Sequence, residues 1–117
     1  MMSSLISPAP VLVRGRDAEQ LVFPEGSSMT LLADGDDTGG VISIHRSVLA
    51  AGTDGASPHH HTSVAELIYV VGGRIDVLVG AEITNAGEGD VVVIPPGVVH
   101  AFATTPESGA DLLIATT

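Results

Sequence analysis

The sequence predicts an all-β fold, an antiparallel sandwich or barrel, on three observations. Short apolar or alternating runs recur along the chain, whereas apolar positions at helical spacing are almost absent. Aromatic residues make up only 3% of the chain, so the core must consist mainly of branched aliphatic side chains, which favour strands. The 14 Gly and 7 Pro are spread throughout, as expected when tight turns separate many short strands.

The predicted strands alternate with segments that are rich in turn-forming residues. The strands are expected at residues 29–33, 41–50, 66–71, 74–79, 91–94, 98–103 and 111–115. Gly, Pro, Asp and Asn predict turns at residues 34–40, 50–58, 72–73, 85–90 and 95–97. Nearer the amino terminus, residues 11–13 and 20–23 predict two further short strands that contact a second subunit.

Length and charge restrict the domain organisation and the partners. A chain of 117 residues, 44% of them hydrophobic, suits one compact core. Within it, residues 1–35 are predicted to supply amino-terminal strands with a dimer contact, and residues 36–117 a barrel. The formal net charge of −10 would repel a phosphate backbone or anionic lipid, so neither nucleic acid nor a membrane is an expected partner.

The same composition bears on the location of the protein and on its chemistry. No stretch approaches the roughly 18 uninterrupted apolar residues of a membrane-spanning helix. The amino terminus lacks a basic region and is interrupted by Pro8 and Pro10, which fits a secretory signal poorly, so we expect a cytoplasmic protein. With no Cys in the chain, any metal ion must be held by His and carboxylate ligands.

The densest chemical signal is a run of three histidines, residues 59–61, followed by Glu66 at the start of an apolar run. If the run is extended, His59 and His61 point to one face while His60 points away. The short segment 62–65 can then return the chain so that Glu66 aims its carboxylate at the same point.

A third imidazole on the same site is expected from His100, which follows the predicted turn at residues 95–97. Three neutral imidazoles and one carboxylate suit a divalent first-row ion, namely Fe, Mn, Ni, Co or Zn. An octahedral ion held in this way keeps open positions for a substrate. The sequence therefore predicts one metal site made of His59, His61, Glu66 and His100.

These residues resemble the two sequence motifs of the cupin superfamily. The first motif, Gly-x5-His-x-His-x3,4-Glu-x6-Gly, is matched here by His59-x-His61-x4-Glu66-x6-Gly73. The second, Gly-x5-Pro-x-Gly-x2-His-x3-Asn, is matched by Gly89-x5-Pro95-x-Gly97-x2-His100.

Two positions depart from the cupin pattern, since Thr53 stands at the opening Gly and Thr104 at the closing Asn. Both positions lie outside the ligand set and affect the shape of loops. The resemblance covers about residues 40–115 and is specific to the superfamily, while it says little about substrate.

The resemblance implies the cupin double-stranded β-helix, an antiparallel jelly-roll barrel, over residues 36–117. It implies that residues 72–73 make the turn after the strand of Glu66, and that residues 89–90 make the hairpin before the next strand. It also implies that Phe102 and Val98, on the face of His100, line a pocket for a small-molecule substrate.

Three further signals concern residues near this pocket. His45 and Arg46 lie on the strand before the metal motif and point to opposite faces, so one of them is expected in the pocket. Arg46 there would favour an anionic or phenolic substrate. Tyr69 is out of phase with Glu66 and is expected on the outer face.

Residues 34–39 look like the start of a calcium loop, but the twelfth position is His45 where Glu is needed, so we expect a hairpin turn.

The cupin resemblance implies an enzyme with one of two mechanisms. The first is a dioxygenase-type oxidoreductase acting on a phenolic or enolic substrate, with Glu66 as the catalytic proton acceptor. The alternative is a non-redox, metal-dependent isomerase, cyclase or lyase. A further alternative is a non-catalytic cupin that binds a small ligand or a metal. The resemblance also implies a homodimer that pairs through the amino-terminal strands.

Overall fold

The computed structural model describes residues 10–59 and 62–117, with the backbone alone for residues 56–59. Nine strands and two short helical turns form within these residues, and the turns span Gly15–Asp17 (3-10 helix) and Gly35–Thr38 (α1). The strands are β1 Glu19–Val22, β2 Ser28–Ala33, β3 Ser43–Leu49, β4 Asp54–His59, β5 Glu66–Val79, β6 Glu82–Gly87, β7 Val91–Ile94, β8 His100–Ala103 and β9 Ala110–Thr116. The predicted all-β class is confirmed.

All strand pairs are antiparallel, and β5 holds the two halves of the barrel together. The order of the sheet is β1-β2-β3-β9-β5-β8-β4, with β6 and β7 also paired to β5. The first half of β5 pairs with β7 and β9, whereas its second half pairs with β6 and β8. One long strand therefore belongs to two sheets that face each other across the core, as in a jelly-roll barrel.

The predicted turn at residues 72–73 is wrong, because β5 continues through it. Gly73 has φ +73° and the register with β9 shifts between Val70 and Gly72, so the strand bends here as it passes from one sheet to the other. A Cβ on Gly73 would lie against the carbonyl oxygen of Gly109 and 2.9 Å from Ala110 Cα. Glycine at this position thus permits both the bend and the close approach of β9.

The core lies between the two halves of β5 and is almost entirely aliphatic, as the composition predicts. Along the first half of β5 the inward residues Ile68 and Val70 are fully buried, while Tyr69 is 39% exposed on the outer face, as expected. Among the side chains that the structure describes, the buried apolar ones are Ile68, Val70, Ile75, Val77, Ala86, Ile94, Phe102, Ala110, Leu112 and Ile114.

Two strands lie where turns were predicted. Residues 54–58 were assigned to a turn segment but belong to β4, and residues 85–87 belong to the exposed strand β6. Both strands are polar and Gly-containing, so neither shows the apolar alternation by which strands are recognised in a sequence.

The amino-terminal segment is continuous with the sheet. The strand predicted at residues 20–23 is confirmed as β1, whereas residues 11–13 form no strand. β1 pairs with β2, and β2 pairs with β3. The predicted hairpin connection at 34–40 contains α1, where Asp34 accepts hydrogen bonds from the N–H groups of Asp36 and Asp37. None of the helices in the described ranges is long and apolar enough to cross a membrane.

Candidate metal centre and ligand cavity

A cavity of about 440 Å³ opens between the amino-terminal strands and the interior of the barrel. Its volume lies in the range of small-molecule sites, roughly 300–1,000 Å³. The apolar side chains along its walls are Phe23, Met29, Leu49, Phe102 and Ile114. Polar side chains line the rest, and Glu66 is the most deeply buried carboxylate among them.

Glu66 begins β5 on an inward position, in phase with Ile68 and Val70. The preceding residue, Ala65, forms two hydrogen bonds with Thr117. The Thr117 N–H donates to Ala65 O, and the Ala65 N–H donates to Thr117 Oγ1, both at 3.1 Å. Because the start of the strand is fixed in this way, Glu66 is only 9% exposed and faces the cavity.

His100 begins β8 directly after the predicted Pro-Pro-Gly turn, and its side chain is 1% exposed. The turn is closed by the Val98 N–H donating to Pro95 O at 3.4 Å, and Gly97 takes φ +84°. His100 Nδ1 lies 3.0 Å from the carbonyl oxygen of Val98. Since a carbonyl can only accept, Nδ1 donates this hydrogen bond, and Nε2 is the ring nitrogen that faces Glu66.

The nitrogen Nε2 of His100 lies 3.2 Å from the carboxylate oxygen Oε2 of Glu66. Two adjacent ligands of an octahedral ion, each about 2.1 Å from it, are separated by roughly 3.0 Å. A ring nitrogen and a carboxylate oxygen are atoms of the kinds that bind divalent ions, and their spacing here fits one shared cation. The donor atoms present suit the divalent ion that the sequence predicts.

The other two predicted ligands are only partly placed. The Cα of His59, the last residue of β4, lies in register with the Cα of His100 on the neighbouring β8. The side chain of His59 and the whole of His61 lie outside the described residues. Among the side chains that are described, no group of three His, Cys, Asp or Glu residues gathers at one point. The four-ligand site stays a prediction, with two members brought together.

The cavity side of β3 presents His45, and Arg46 points to the other side. The Arg46 guanidinium donates through Nε to Asp111 Oδ1 at 2.8 Å and forms an ion pair with the same carboxylate on the outer surface. Arg46 is therefore corrected from a pocket residue to a surface residue. His45 lines the cavity instead; burial lowers its pKa below the usual 6.5, and the negative charge of Glu66 opposes that effect.

Of the predicted pocket residues Phe102 and Val98, the structure places Phe102 at the cavity and Val98 elsewhere. Phe102 lines the cavity and is 8% exposed. Val98 packs against the hydrophobic core and is not among the residues that line the cavity. Sequence reasoning did not find Ser27, Ser47 or Thr53, which also line it. The in-phase spacing of His45, Ser47 and Leu49 on β3 was the signal available for Ser47.

Residues 45–115 match the family described as the cupin domain. An uncharacterized protein of Streptomyces coelicolor is 42% identical over 53 residues, which are 45% of this chain and 48% of that protein. The chain is thus aligned with about half the length of this curated relative.

Several solved structures share the architecture at low sequence identity. A predicted oxalate decarboxylase from Thermotoga maritima superimposes with a TM-score of 0.76 at 18% identity, over 91% of this chain and 97% of that one. A polyketide cyclase from Streptomyces resistomycificus gives 0.71 at 20% identity, over 92% and 79%. A sugar phosphate isomerase from Silicibacter pomeroyi gives 0.73 at 22%, over 92% and 75%. At these identities the likeness concerns the fold, and together with the match over residues 45–115 it places the chain in the cupin domain family.

Proposed function

We propose that this cupin is a metal-dependent enzyme acting on a small enolic or phenolic molecule. The observation that carries the proposal is the approach of Glu66 Oε2 to His100 Nε2 at 3.2 Å beside a cavity large enough for such a molecule. With His59 and His61 these residues would hold Fe, Mn, Ni, Co or Zn. The ion, when bound, supplies Lewis-acid polarisation of a substrate oxygen or access to oxidative chemistry.

Glu66 is the residue that we assign to proton transfer. Its carboxylate faces the cavity and is shielded from bulk water, so a substrate hydroxyl or acidic C–H that enters would meet a base with little competing solvent. Both candidate mechanisms need this step, because a phenol or enol must lose a proton before it reacts with dioxygen or is isomerised.

His45 favours the non-redox version of the chemistry. Because burial lowers its pKa, His45 is neutral at pH 7 and can accept or donate a proton at a second point of the cavity wall. Isomerisation, cyclisation and elimination move a proton between two positions and therefore profit from two such groups. Relatives of this fold include proteins described as a polyketide cyclase and a sugar phosphate isomerase, which supports the same choice.

The alternative function is the dioxygenase that the sequence resemblance ranks first. It needs one proton acceptor, which Glu66 provides, and room for dioxygen beside the substrate. A third function, reversible binding of a small ligand or a metal without turnover, would use the same cavity. The dioxygenase mechanism gives His45 no role. In reversible binding without turnover, His45 would only form hydrogen bonds with the ligand.

The experiment that separates these functions combines metal analysis with two activity measurements. The full chain is loaded in turn with each candidate ion and mixed with a panel of phenolic and enolic compounds. We expect exchange of a substrate C–H proton with deuterium from solvent, without oxygen uptake, and loss of exchange in Glu66→Gln. Oxygen uptake coupled to substrate loss would support the dioxygenase instead. Binding without exchange or uptake would overturn the proposal of an enzyme.

A further inference from the structure

The charges around the cavity indicate which class of ligand it accepts. We propose that the side chains of the cavity favour uncharged, hydroxylated ligands with an apolar ring or chain, and that they disfavour ligands bearing a phosphate or carboxylate group. This inference rests on the proposed function, since it takes the cavity to be the substrate site. A metal ion at Glu66 would oppose this preference through its own charge, so the inference is tested on the metal-free chain.

No arginine or lysine of the chain reaches the cavity. The four basic residues counted as Lys plus Arg are all arginines, and all of them lie in the described part of the chain. Arg46 is held on the outer surface by Asp111, Arg74 is exposed on β5, and Arg14 and Arg16 lie at the amino-terminal 3-10 helix. None of them is among the cavity-lining residues. An anionic substituent would find no arginine fork to bind it.

Carboxylates instead occupy both ends of the cavity. Glu66 is buried on its inner wall, whereas Glu25 and Asp54 are exposed and lie at the opening. The ion of the proposed function would offset the charge of Glu66, so the repulsion is assigned to the two outer carboxylates, which an anion must pass to enter the cavity. The overall net charge of −10 acts in the same direction.

The remaining wall suits hydroxyl groups and an apolar face. Ser27, Ser47 and Thr53 line the cavity together with neutral His45. Ser27 Oγ accepts a hydrogen bond from the Ala50 N–H at 3.0 Å, which uses the oxygen and leaves the hydroxyl proton to donate.

The side chains of Phe102, Ile114 and Leu49 also line the cavity and offer an apolar surface against which a ring can pack. A ligand that carries both hydroxyl groups and an apolar body matches this mixed lining. The two fold relatives described as acting on oxalate or sugar phosphates would therefore differ from this chain in ligand charge.

The test compares three probes that share an aromatic ring: uncharged 4-hydroxybenzyl alcohol, 4-hydroxybenzoate and phenyl phosphate. Binding to the metal-free full chain is measured by calorimetry at neutral pH and at two ionic strengths. We expect the alcohol to bind at least about tenfold more tightly than either anion. Added salt should narrow this difference, because it screens the repulsion at the opening.

The double substitution Glu25→Gln with Asp54→Asn tests the cause. It should tighten 4-hydroxybenzoate binding several-fold relative to binding of the alcohol, and it should weaken the salt dependence of 4-hydroxybenzoate binding. Glu82→Gln, on the exposed strand β6 away from the cavity, is the matched control and should change neither affinity.

Equal or tighter binding of the anions, or no binding of the alcohol at millimolar concentration, would overturn the proposal. Because the measurement uses metal-free protein and no turnover, an inactive protein with the expected selectivity would contradict only the proposed enzymatic function. An active enzyme whose metal-free form binds the anions more tightly than the alcohol would contradict only this inference.

Discussion

Replacing Glu66 by Gln tests whether its carboxylate helps to hold a metal ion. The substitution keeps the shape of the side chain and removes the charge 3.2 Å from His100 Nε2. Loss of a group that only orients a ligand lowers metal affinity by about 10- to 100-fold, so loss of a ligand charge should lower it by at least roughly 100-fold.

The size of the thermal effect follows from linkage. An ion at about 100 times its Kd stabilises the folded state by about 2.7 kcal/mol, and a 100-fold weaker site reduces this to about 0.4 kcal/mol. A chain of 117 residues unfolds near 60 °C with an entropy of roughly 0.25 kcal/mol/K. The lost stabilisation therefore corresponds to a Tm about 9 °C lower in the presence of the ion.

The assay is a thermal melt of wild type and variant, each with and without the ion that wild type binds most tightly. We expect the metal-induced rise in Tm to be nearly abolished in Glu66→Gln, and to be intact in Glu82→Gln, where the carboxylate is exposed on β6. An unchanged metal-induced rise in Glu66→Gln would refute the assignment of Glu66 as a ligand.

Three further predictions concern the bend, the pH dependence and the assembly. Gly73→Ala should destabilise the fold by about 2–3 kcal/mol, and Gly80→Ala should destabilise it less. Both glycines have positive φ, but only Gly73 lies against the Gly109 carbonyl. Equal losses of unfolding free energy for the two variants in urea titrations would contradict this. Burial lowers the pKa of His45 below 6.5, so the unfolded state binds the proton more readily and stability falls as pH drops below 6.5. His45→Gln should weaken that fall in metal-free protein between about pH 7.5 and pH 5.5, and an unaltered pH dependence would show that His45 does not contribute. Light scattering should give twice the chain mass for the homodimer that is predicted to form through the amino-terminal strands. Val22→Asp should weaken the dimer, since Val22 on β1 is 73% exposed. A monomeric mass for the wild-type protein would contradict this prediction.

The strands that form the core were predictable because their alternation is strong. Along β5 the inward residues Ile68 and Val70 alternate with exposed Tyr69, and the period of two identifies both the strand and its inner face. β4 and β6 were not predictable in this way. Their pairing depends on neighbours in the sheet, and their own residues have low strand propensity.

The continuous course of β5 shows a second limit of sequence reasoning. A Gly-Gly pair is compatible with a tight turn and also with a bend inside a strand, and the choice depends on tertiary contacts. Here β9 approaches Gly73 so closely that only glycine fits, and β9 is distant from Gly73 in sequence. Local pattern cannot contain that information.

The sequence predicted those residues of the candidate site that the spacing of the motifs identifies. It did not predict those whose direction depends on which face of a strand turns inward. Glu66 and His100 were identified from the motif, and the structure places Glu66 Oε2 3.2 Å from His100 Nε2. For His45 and Arg46 the sequence left open which of them faces inward, because adjacent residues on a strand always point to opposite sides. In the structure Arg46 pairs with Asp111 on the outer surface, whereas the next residue, Ser47, is buried on the inward face of β3.

The most direct test of the metal centre is anomalous X-ray diffraction from crystals of the full chain soaked with the ion that it retains most tightly. We predict one strong anomalous peak about 2.0–2.3 Å from both His100 Nε2 and a Glu66 carboxylate oxygen, with His59 and His61 completing the shell. A peak elsewhere, or none in this cavity at saturating ion, would contradict the assignment of these four residues as the metal ligands.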